Sequence, residues 1–332
     1  MKNQSFRYLL ALAIAASVIC VTPLATRGEP RHNPFGLMFS DSSKGLADLA
    51  DKVGAKHVRR LVSVATWDGK CGGCGPFLDL GMKILLTTRY NGTTNTPSTP
   101  PANLALYQTQ LAEILDFIDP EVLVVENEET ARLFYVGTAG EYGDQLAAAC
   151  QVAHERSIPC TNGGLPNPTV IAMTYLDLQD RGKWSAADSY LKGAVLDNDE
   201  YRFYSAPVNE PKVRLQANEG EDFLRKYAPA GADYVNFHWY RENPKSFKKS
   251  VGFLERFTGL PAMSNEMGQY NNSSSQIKGL MNKVLDLGLA YAVWCSDDKY
   301  VQAQDENIKA LHRSDFSLRK HGKAYKSIAR DL

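Results

Sequence analysis

The chain has 332 residues, of which 44% are hydrophobic and 22% are charged, and its formal net charge at pH 7 is zero. This length accommodates one large α/β domain or two small ones, and the composition is ordinary for a globular protein. A neutral chain without a basic stripe argues against nucleic acid or an anionic membrane surface as a partner.

The N-terminal residues have the pattern of a secretory signal peptide. Lys2 and Arg7 precede an apolar stretch at residues 8–21, and small residues follow it. This stretch is short for a membrane span, and an uncleaved anchor is the alternative. We predict that residues 1–28 are a cleaved signal and that the mature protein is secreted or periplasmic, with no stable membrane association.

Five cysteines follow that segment, and an exported protein retains disulfides. Cys71 and Cys74 are the favoured local pair, and Cys150 with Cys160 is a second candidate. Half of a zinc site or a redox pair is the alternative for the Cys71-x-x-Cys74 spacing, but no second such pair accompanies it in the sequence. Cys295 then remains, and we expect it to be buried.

Apolar runs of strand length recur along the chain. Because the runs are continuous rather than alternating, they are typical of parallel strands that are buried on both faces. We predict eight strands, at residues 34–40, 56–64, 82–88, 121–128, 158–163, 232–240, 261–266 and 289–295.

Helical periodicity separates these runs. The amphipathic stretches are residues 45–53, 101–118, 140–154, 247–257, 273–287 and 321–332, with a weak candidate at 77–80. Eight strands alternating with helices predict a (β/α)8 TIM barrel, formed as a single catalytic domain by residues 29–332. A doubly wound sheet is the alternative, but it would require a Gly-rich phosphate loop after an early strand, and the sequence has none.

The stretch at residues 167–219 is too long for a simple connection and is rich in aromatic residues. We interpret it as an elaborated loop between strands five and six that contains one or two helices. Such a loop either shapes the substrate cleft or packs against the barrel wall, and the sequence leaves both alternatives open.

Polar residues stand where several predicted strands end. The fourth strand ends in Asn127-Glu128, and the seventh ends in Asn265-Glu266. A carboxylate at the end of a buried strand is energetically costly unless it has a function. Barrel enzymes place their active sites at the carboxyl ends of the strands, so these two glutamates predict the paired-carboxylate chemistry of glycoside hydrolysis.

Polar or aromatic residues also occupy predicted strands two, six and eight, at Arg59, at His238 and Tyr240, and at Trp294. Together with the two Asn-Glu pairs, they resemble the clan A retaining glycoside hydrolases, which are built on (β/α)8 barrels. Members carry Asn-Glu after strand four and Glu after strand seven, and often an Arg on strand two, His and Tyr on strand six and Trp on strand eight. The matching residues are Asn127, Glu128, Glu266, Arg59, His238, Tyr240 and Trp294. The segments around His238 and Glu266 also resemble the small endo-β-1,3-glucanases of that clan.

The resemblance implies an enzyme that cleaves a β-linked oligo- or polysaccharide by double displacement. Glu128 would be the general acid/base, Glu266 would be the nucleophile, and Trp294 would stack under a sugar ring. No cofactor is implied. The remaining histidines show no spacing typical of metal ligands, so we expect no metal site.

The resemblance also implies supporting roles near the nucleophile. Asn127 would donate a hydrogen bond to the sugar 2-hydroxyl, and Tyr240 would hold the nucleophile through its hydroxyl group. His238 shares a strand face with Tyr240 because side chains on one face recur every two residues. Arg59 or Arg60 would keep the nucleophile ionised; we favour Arg59, although the sequence does not show which of the two faces the barrel interior.

Two features depart from the clan pattern. Glu129 follows Glu128 where clan members usually carry Pro, and an extra acid, Glu126, lies two residues before Glu128. The clan's Asn-Glu-Pro pattern occurs elsewhere, at Asn209-Glu210-Pro211. Glu210 is therefore an alternative acid/base, but Pro207 argues against a central strand before it. A catalytically silent barrel that binds carbohydrate, and a transglycosylase using the same site, remain the alternative functions.

Overall fold

The computed structural model describes residues 32–93, 96–296 and 310–332, and the predicted signal peptide lies outside these residues. Eight strands lie along the described chain, and each overlaps one of the predicted apolar runs. They are β1 (Phe35–Met38), β2 (His57–Ser63), β3 (Lys83–Arg89), β4 (Val122–Val125), β5 (Cys160–Asn162), β6 (Val235–Trp239), β7 (Ala262–Met267) and β8 (Ala292–Cys295).

The strands form one parallel sheet in the order β5-β4-β3-β2-β1-β8-β7-β6. Its two outer strands, β5 and β6, meet through isolated parallel bridges from Thr161 to Tyr234 and from Leu165 to Phe237. The sheet is therefore a nearly closed barrel, which confirms the predicted (β/α)8 fold and excludes the doubly wound alternative.

Helices connect the strands, as predicted. They are α1 (Lys44–Val53), α2 (Gly75–Leu78), α3 (Leu104–Ile118), α4 (Ala139–His154), α5 (Asn167–Asp180), α6 (Trp184–Ala194), α7 (Asn198–Ser205), α8 (Glu210–Tyr227), α9 (Pro244–Thr258), α10 (Ser274–Leu287) and α11 (Lys320–Ala329). Local chemistry sets several boundaries: a capping box between Thr138 and Glu141 begins α4, and Gly54, with φ of 83°, ends α1. The weak candidate after β2 is the single short turn α2.

The connection between β5 and β6 contains four α-helices, α5 to α8, where the sequence predicted one or two. Helix α5 packs on α6 and α8, and α8 packs on α4. Pro166 and Asn167 at the start of the connection line the cavity that holds the candidate catalytic residues, and so does Gln216 of α8. The connection therefore both packs on the barrel wall and shapes the cleft.

Two apolar layers follow from the alternation of side chains along the strands. A small cluster fills the barrel interior, and a large cluster lies between strands and helices. The interior cluster consists of Leu85, Val122, Val124, Met263, Tyr291 and Val293. This cluster fills the barrel near the amino ends of the strands, and polar side chains line the interior at the carboxyl ends.

The cysteine predictions are confirmed for the described chain. Cys71 pairs with Cys74, and Cys150 of α4 pairs with Cys160 of β5. Cys295 is buried and is in neither disulfide. No helix in residues 32–93, 96–296 and 310–332 combines the length and the apolar character that crossing a membrane requires.

Candidate active site

The candidate catalytic residues converge at the carboxyl end of the barrel. Arg59 lies on β2, Glu128 follows β4, His238 lies on β6 and Glu266 lies on β7. The pairing of β6 with β7 places His238 directly opposite Glu266. Parallel strands thus bring together side chains that lie up to 207 residues apart in the chain.

Glu266 accepts hydrogen bonds from two donors, one on β2 and one directly after β6. The Arg59 guanidinium donates from Nη1 to Oε2, and the Tyr240 hydroxyl donates to Oε1 at 2.7 Å. Burial alone would raise the pKa of Glu266, but the positive charges of His238 and Arg59, together with these hydrogen bonds, lower it to about 2. Glu266 is therefore ionised across the physiological range, as a nucleophile must be.

Arg59 connects Glu266 to the end of β4. Its Nε donates to the Thr87 hydroxyl at 2.9 Å, and its Nη2 donates to the side-chain oxygen of Asn127. The Asn127 amide nitrogen is then the group that remains for a ligand hydroxyl. Arg60 points away from the barrel interior and donates to the Gly72 carbonyl oxygen at 2.9 Å.

His238 links the two candidate catalytic carboxylates. Its Nδ1 lies 2.8 Å from Glu128 Oε1 and 3.8 Å from Glu266 Oε2. Two contacts to one atom place these oxygens at most about 6.6 Å apart, a bound that accommodates the ~5–5.5 Å separation of the carboxyl groups in retaining enzymes.

The other ring nitrogen of His238 fixes the orientation of the imidazole. Nε2 lies 3.0 Å from Asn265 Oδ1, which also accepts a hydrogen bond from Asn236. An amide oxygen only accepts, so Nε2 carries a hydrogen. Burial would lower the pKa of His238, but the negative charges of Glu266 and Glu128 outweigh burial and raise it.

Glu128 sits on an unusual backbone. Its φ is 46°, and that of Glu126 is 68°, so both residues lie in the left-handed region that non-glycine residues rarely adopt. The turn directs the Glu128 side chain into a cavity of about 510 Å³ that is also lined by His238, Tyr240 and Glu266. Such strain at the end of a buried strand is typical of functional sites.

Two further carboxylates are buried beside this turn. Glu126 accepts hydrogen bonds of 2.8 Å from the Tyr90 backbone amide and the Gln145 side chain, and burial raises its pKa to about 7. Glu129 accepts from the Tyr227 hydroxyl and the Asn162 amide, and burial also raises its pKa. Both support the β4 turn from outside the cavity.

Gly164 is a site component that was not predicted from the sequence. Its φ is 105°, and a Cβ atom there would lie 2.3 Å from His238 Nε2. Neighbouring Gly163 leaves similar room for the backbone of Glu126 and Asn127. The Gly-Gly pair directly after β5 was the available signal, since paired glycines mark close backbone approach.

The structure corrects one site expectation and removes one alternative. Trp294 is 1% exposed and packs in the outer apolar layer, because the alternation along β8 points Val293 inward and Trp294 outward. It offers no face to a sugar. Glu210 begins α8, is half exposed and pairs with Arg214 at 2.7 Å, outside the residues that line the catalytic cavity.

No protein-family model matches the chain, and no curated protein matches its sequence. Solved structures do share its fold. An endo-β-1,3-glucanase of glycoside hydrolase family 128, subgroup II, from Sorangium cellulosum aligns over 89% of this chain and 98% of its own, with a TM-score of 0.53 and 14% identity.

Two further structures give the same result. A subgroup I endo-β-1,3-glucanase of family 128 from Amycolatopsis mediterranei, in complex with laminaritriose and laminaribiose, covers 89% of this chain and 99% of its own at TM-score 0.53 and 10% identity. A family 39 glycoside hydrolase from Bacteroides cellulosilyticus WH2 covers 90% of this chain and 64% of its own at TM-score 0.54 and 14% identity. At these identities the likeness shows the fold alone: this chain has the (β/α)8 barrel of these clan A glycoside hydrolases.

Proposed function

We propose that the protein is an exported retaining glycoside hydrolase that cleaves a β-linked glucan. One observation carries this proposal: Glu128 and Glu266, at the ends of β4 and β7, lie 2.8 Å and 3.8 Å from the same His238 nitrogen. The pattern of residues 1–28 supports export of the chain.

In the proposed reaction, Glu266 is the nucleophile. Its carboxylate attacks the anomeric carbon while Glu128 donates a proton to the departing glycosidic oxygen. Water, deprotonated by Glu128, then hydrolyses the glycosyl-enzyme. Arg59 and Tyr240 keep Glu266 ionised and oriented, and the Asn127 amide is placed to donate to the sugar 2-hydroxyl.

His238 and the proposed acid/base, Glu128, share a proton. Because Nε2 carries a hydrogen toward Asn265, the 2.8 Å contact between Nδ1 and Glu128 requires one further proton, on either the imidazole or the carboxyl group. The pair thus holds a proton next to the bond to be cleaved, as the first step needs.

A β-1,3-glucan is the substrate that we favour. Support comes from the structural neighbours described as endo-β-1,3-glucanases, one of them bound to laminaritriose and laminaribiose. The catalytic cavity shares Leu196, Arg241 and Tyr270 with a larger cavity of about 990 Å³. The combined cleft has room for several sugar rings, which favours an oligo- or polysaccharide over a single glycoside.

The test is hydrolysis of a panel of β-1,3-glucan, mixed-linkage glucan, mannan, xylan and aryl β-glycosides by the mature protein. Glu128→Gln and Glu266→Gln are assayed beside it, with Glu210→Gln as the matched control outside the cavity. We expect activity on β-1,3-glucan with retained anomeric configuration by NMR, abolished by the first two changes only. Binding without turnover by the unaltered protein would instead establish a carbohydrate-binding barrel.

A further inference from the structure

Three metal-ligating side chains meet at the end of the barrel opposite the catalytic carboxylates. His57 is the first residue of β2, Glu121 directly precedes β4, and His32 lies before β1. Their ligand atoms all lie within 4.8 Å of one another, and no other group of three in the described residues is this close. The amino ends of parallel strands meet at one face, which explains why spacing along the chain gave no sign of this cluster.

The hydrogen bonds of His57 identify which of its nitrogens faces the cluster. Nε2 lies 3.1 Å from the backbone carbonyl oxygen of Asn33, which can only accept, so Nε2 carries a hydrogen. In the neutral ring Nδ1 is then an acceptor, yet it faces Glu121 Oε2 at 3.1 Å. Two acceptors at this distance require a positive centre between them, either a proton or a metal ion.

The surroundings match the outer contacts that support metal ligands. A metal-bound histidine commonly donates its other ring N–H to a carbonyl group, and a metal-bound carboxylate is itself hydrogen-bonded. Here the Asn33 carbonyl accepts from His57, and the Tyr291 hydroxyl donates to Glu121 Oε1 at 3.3 Å. These contacts orient Nδ1 and Oε2 toward each other.

The spacing also suits a small divalent ion. Ligands about 2.0–2.2 Å from a tetrahedral zinc ion lie ~3.3 Å from one another, close to the 3.1 Å between His57 Nδ1 and Glu121 Oε2. His32 stacks on His57 with ring centroids 5.6 Å apart. His32 is exposed, and its ligand nitrogen lies within 4.8 Å of the other two ligand atoms, so a small rotation of its side chain would complete a three-ligand site.

We propose that His32, His57 and Glu121 bind one Zn²⁺ ion. Two imidazoles and one carboxylate are a donor set that zinc accepts, with water in the fourth position. The bound ion connects the segment before β1 to the starts of β2 and β4, because each of these three places contributes one ligand. Because the catalytic residues lie at the other end of the barrel, the ion stabilises the fold without entering the hydrolytic reaction.

The test uses untagged protein stripped of metal with a chelator and titrated with ZnCl2 by calorimetry and thermal unfolding. We expect one equivalent of zinc per chain, a rise in Tm of several degrees and an unchanged kcat. His32→Gln and Glu121→Gln should each weaken zinc binding at least tenfold. His154→Gln, an exposed histidine paired with Asp233 at 2.9 Å, is the matched control and should bind as the unaltered protein does.

Because His57 is buried, the decisive variants are those of His32 and Glu121, whose side chains reach solvent. Failure of the stripped protein to bind one equivalent would overturn the proposal, and so would binding that survives both changes. Zinc binding that is lost in Glu266→Gln but kept in His32→Gln would place the ion among the catalytic carboxylates instead, and would also overturn it.

Discussion

His238 and Glu128 share a contact of 2.8 Å that cannot exist without a proton between them, because the other ring nitrogen of His238 already donates to Asn265. The same imidazole nitrogen is 3.8 Å from the second carboxylate, Glu266. One imidazole nitrogen therefore lies within 4 Å of both carboxylates of the proposed site.

Replacing His238 by Gln should narrow the pH profile of kcat/KM from both sides. The pKa of His238 is raised above its ordinary 6.5, so the ring keeps its second proton to above that pH and loses it as the pH rises further. The variant lacks this imidazole proton, so we expect the basic limb to move to lower pH. The acidic limb moves up, because Glu266 loses a positive neighbour. An unchanged basic limb would contradict the shared-proton account.

Replacing Tyr240 by Phe should move only the acidic limb. The hydroxyl donates to ionised Glu266 at 2.7 Å, so its loss raises the pKa of Glu266 from about 2 toward ordinary values. We expect kcat to fall roughly 10²-fold, by analogy with the loss of other preorganised donors. The pH profile of kcat/KM measures the shift. A fall in activity with no movement of the acidic limb would mean that Tyr240 acts on the substrate rather than on Glu266.

Replacing Glu126 by Gln should change how stability depends on pH. Glu126 has a pKa of about 7 in the folded protein against 4.5 as its ordinary value, so the folded state binds the extra proton between these values and stability falls as the pH rises through them. At pH 8 the ionisation of buried Glu126 lowers the free energy of unfolding by about 3 kcal/mol, from a pKa difference of about 2.5. Gln carries no charge, so the variant should equal the unaltered protein near pH 4 and exceed it at pH 8. The free energy of unfolding is measured by denaturant unfolding at each pH. A difference between the two proteins that does not change with pH would refute the raised pKa of Glu126.

Gly164→Ala should damage the site more than its backbone conformation alone explains. The new methyl group would lie 2.3 Å from His238 Nε2, on a backbone with φ of 105°. Gly182 is the matched control, since its φ is 69° and nothing lies within 4 Å of its Cβ position. Backbone strain alone should lower the stability of both variants by about 1–2 kcal/mol. Only Gly164→Ala should also lower kcat by more than roughly tenfold, by displacing His238. Equal kcat values for the two variants would show that His238 adjusts without loss.

The barrel could be predicted from the sequence because most strand residues are buried on both faces, so that the strands appear in the sequence as continuous apolar runs. A continuous apolar run does not show which of its side chains face the barrel interior. Neither the inward direction of Arg59 rather than Arg60 nor the outward direction of Trp294 follows from a run without alternation. A shift of one residue along a strand exchanges the two faces.

Features that depend on contacts between strands also could not be predicted from the sequence. The room that Gly164 gives to His238 appears only when β5 and β6 lie side by side. The convergence of His32, His57 and Glu121 likewise needs three strand starts at one face. The Asn-Glu pairs at residues 127–128 and 265–266 were detectable because polar residues interrupt apolar runs at the positions where barrels place their sites.

The central claim is double displacement through Glu266, and covalent trapping tests it most directly. A 2-deoxy-2-fluoro glycoside with a good leaving group, made from the sugar that the substrate panel identifies, forms a glycosyl-enzyme that hydrolyses slowly. Mass spectrometry of the digested protein should find the label on the peptide that contains Glu266, and Glu266→Gln should take up none. A label on Glu128 or another carboxylate, or turnover with inversion and no label, would contradict the account.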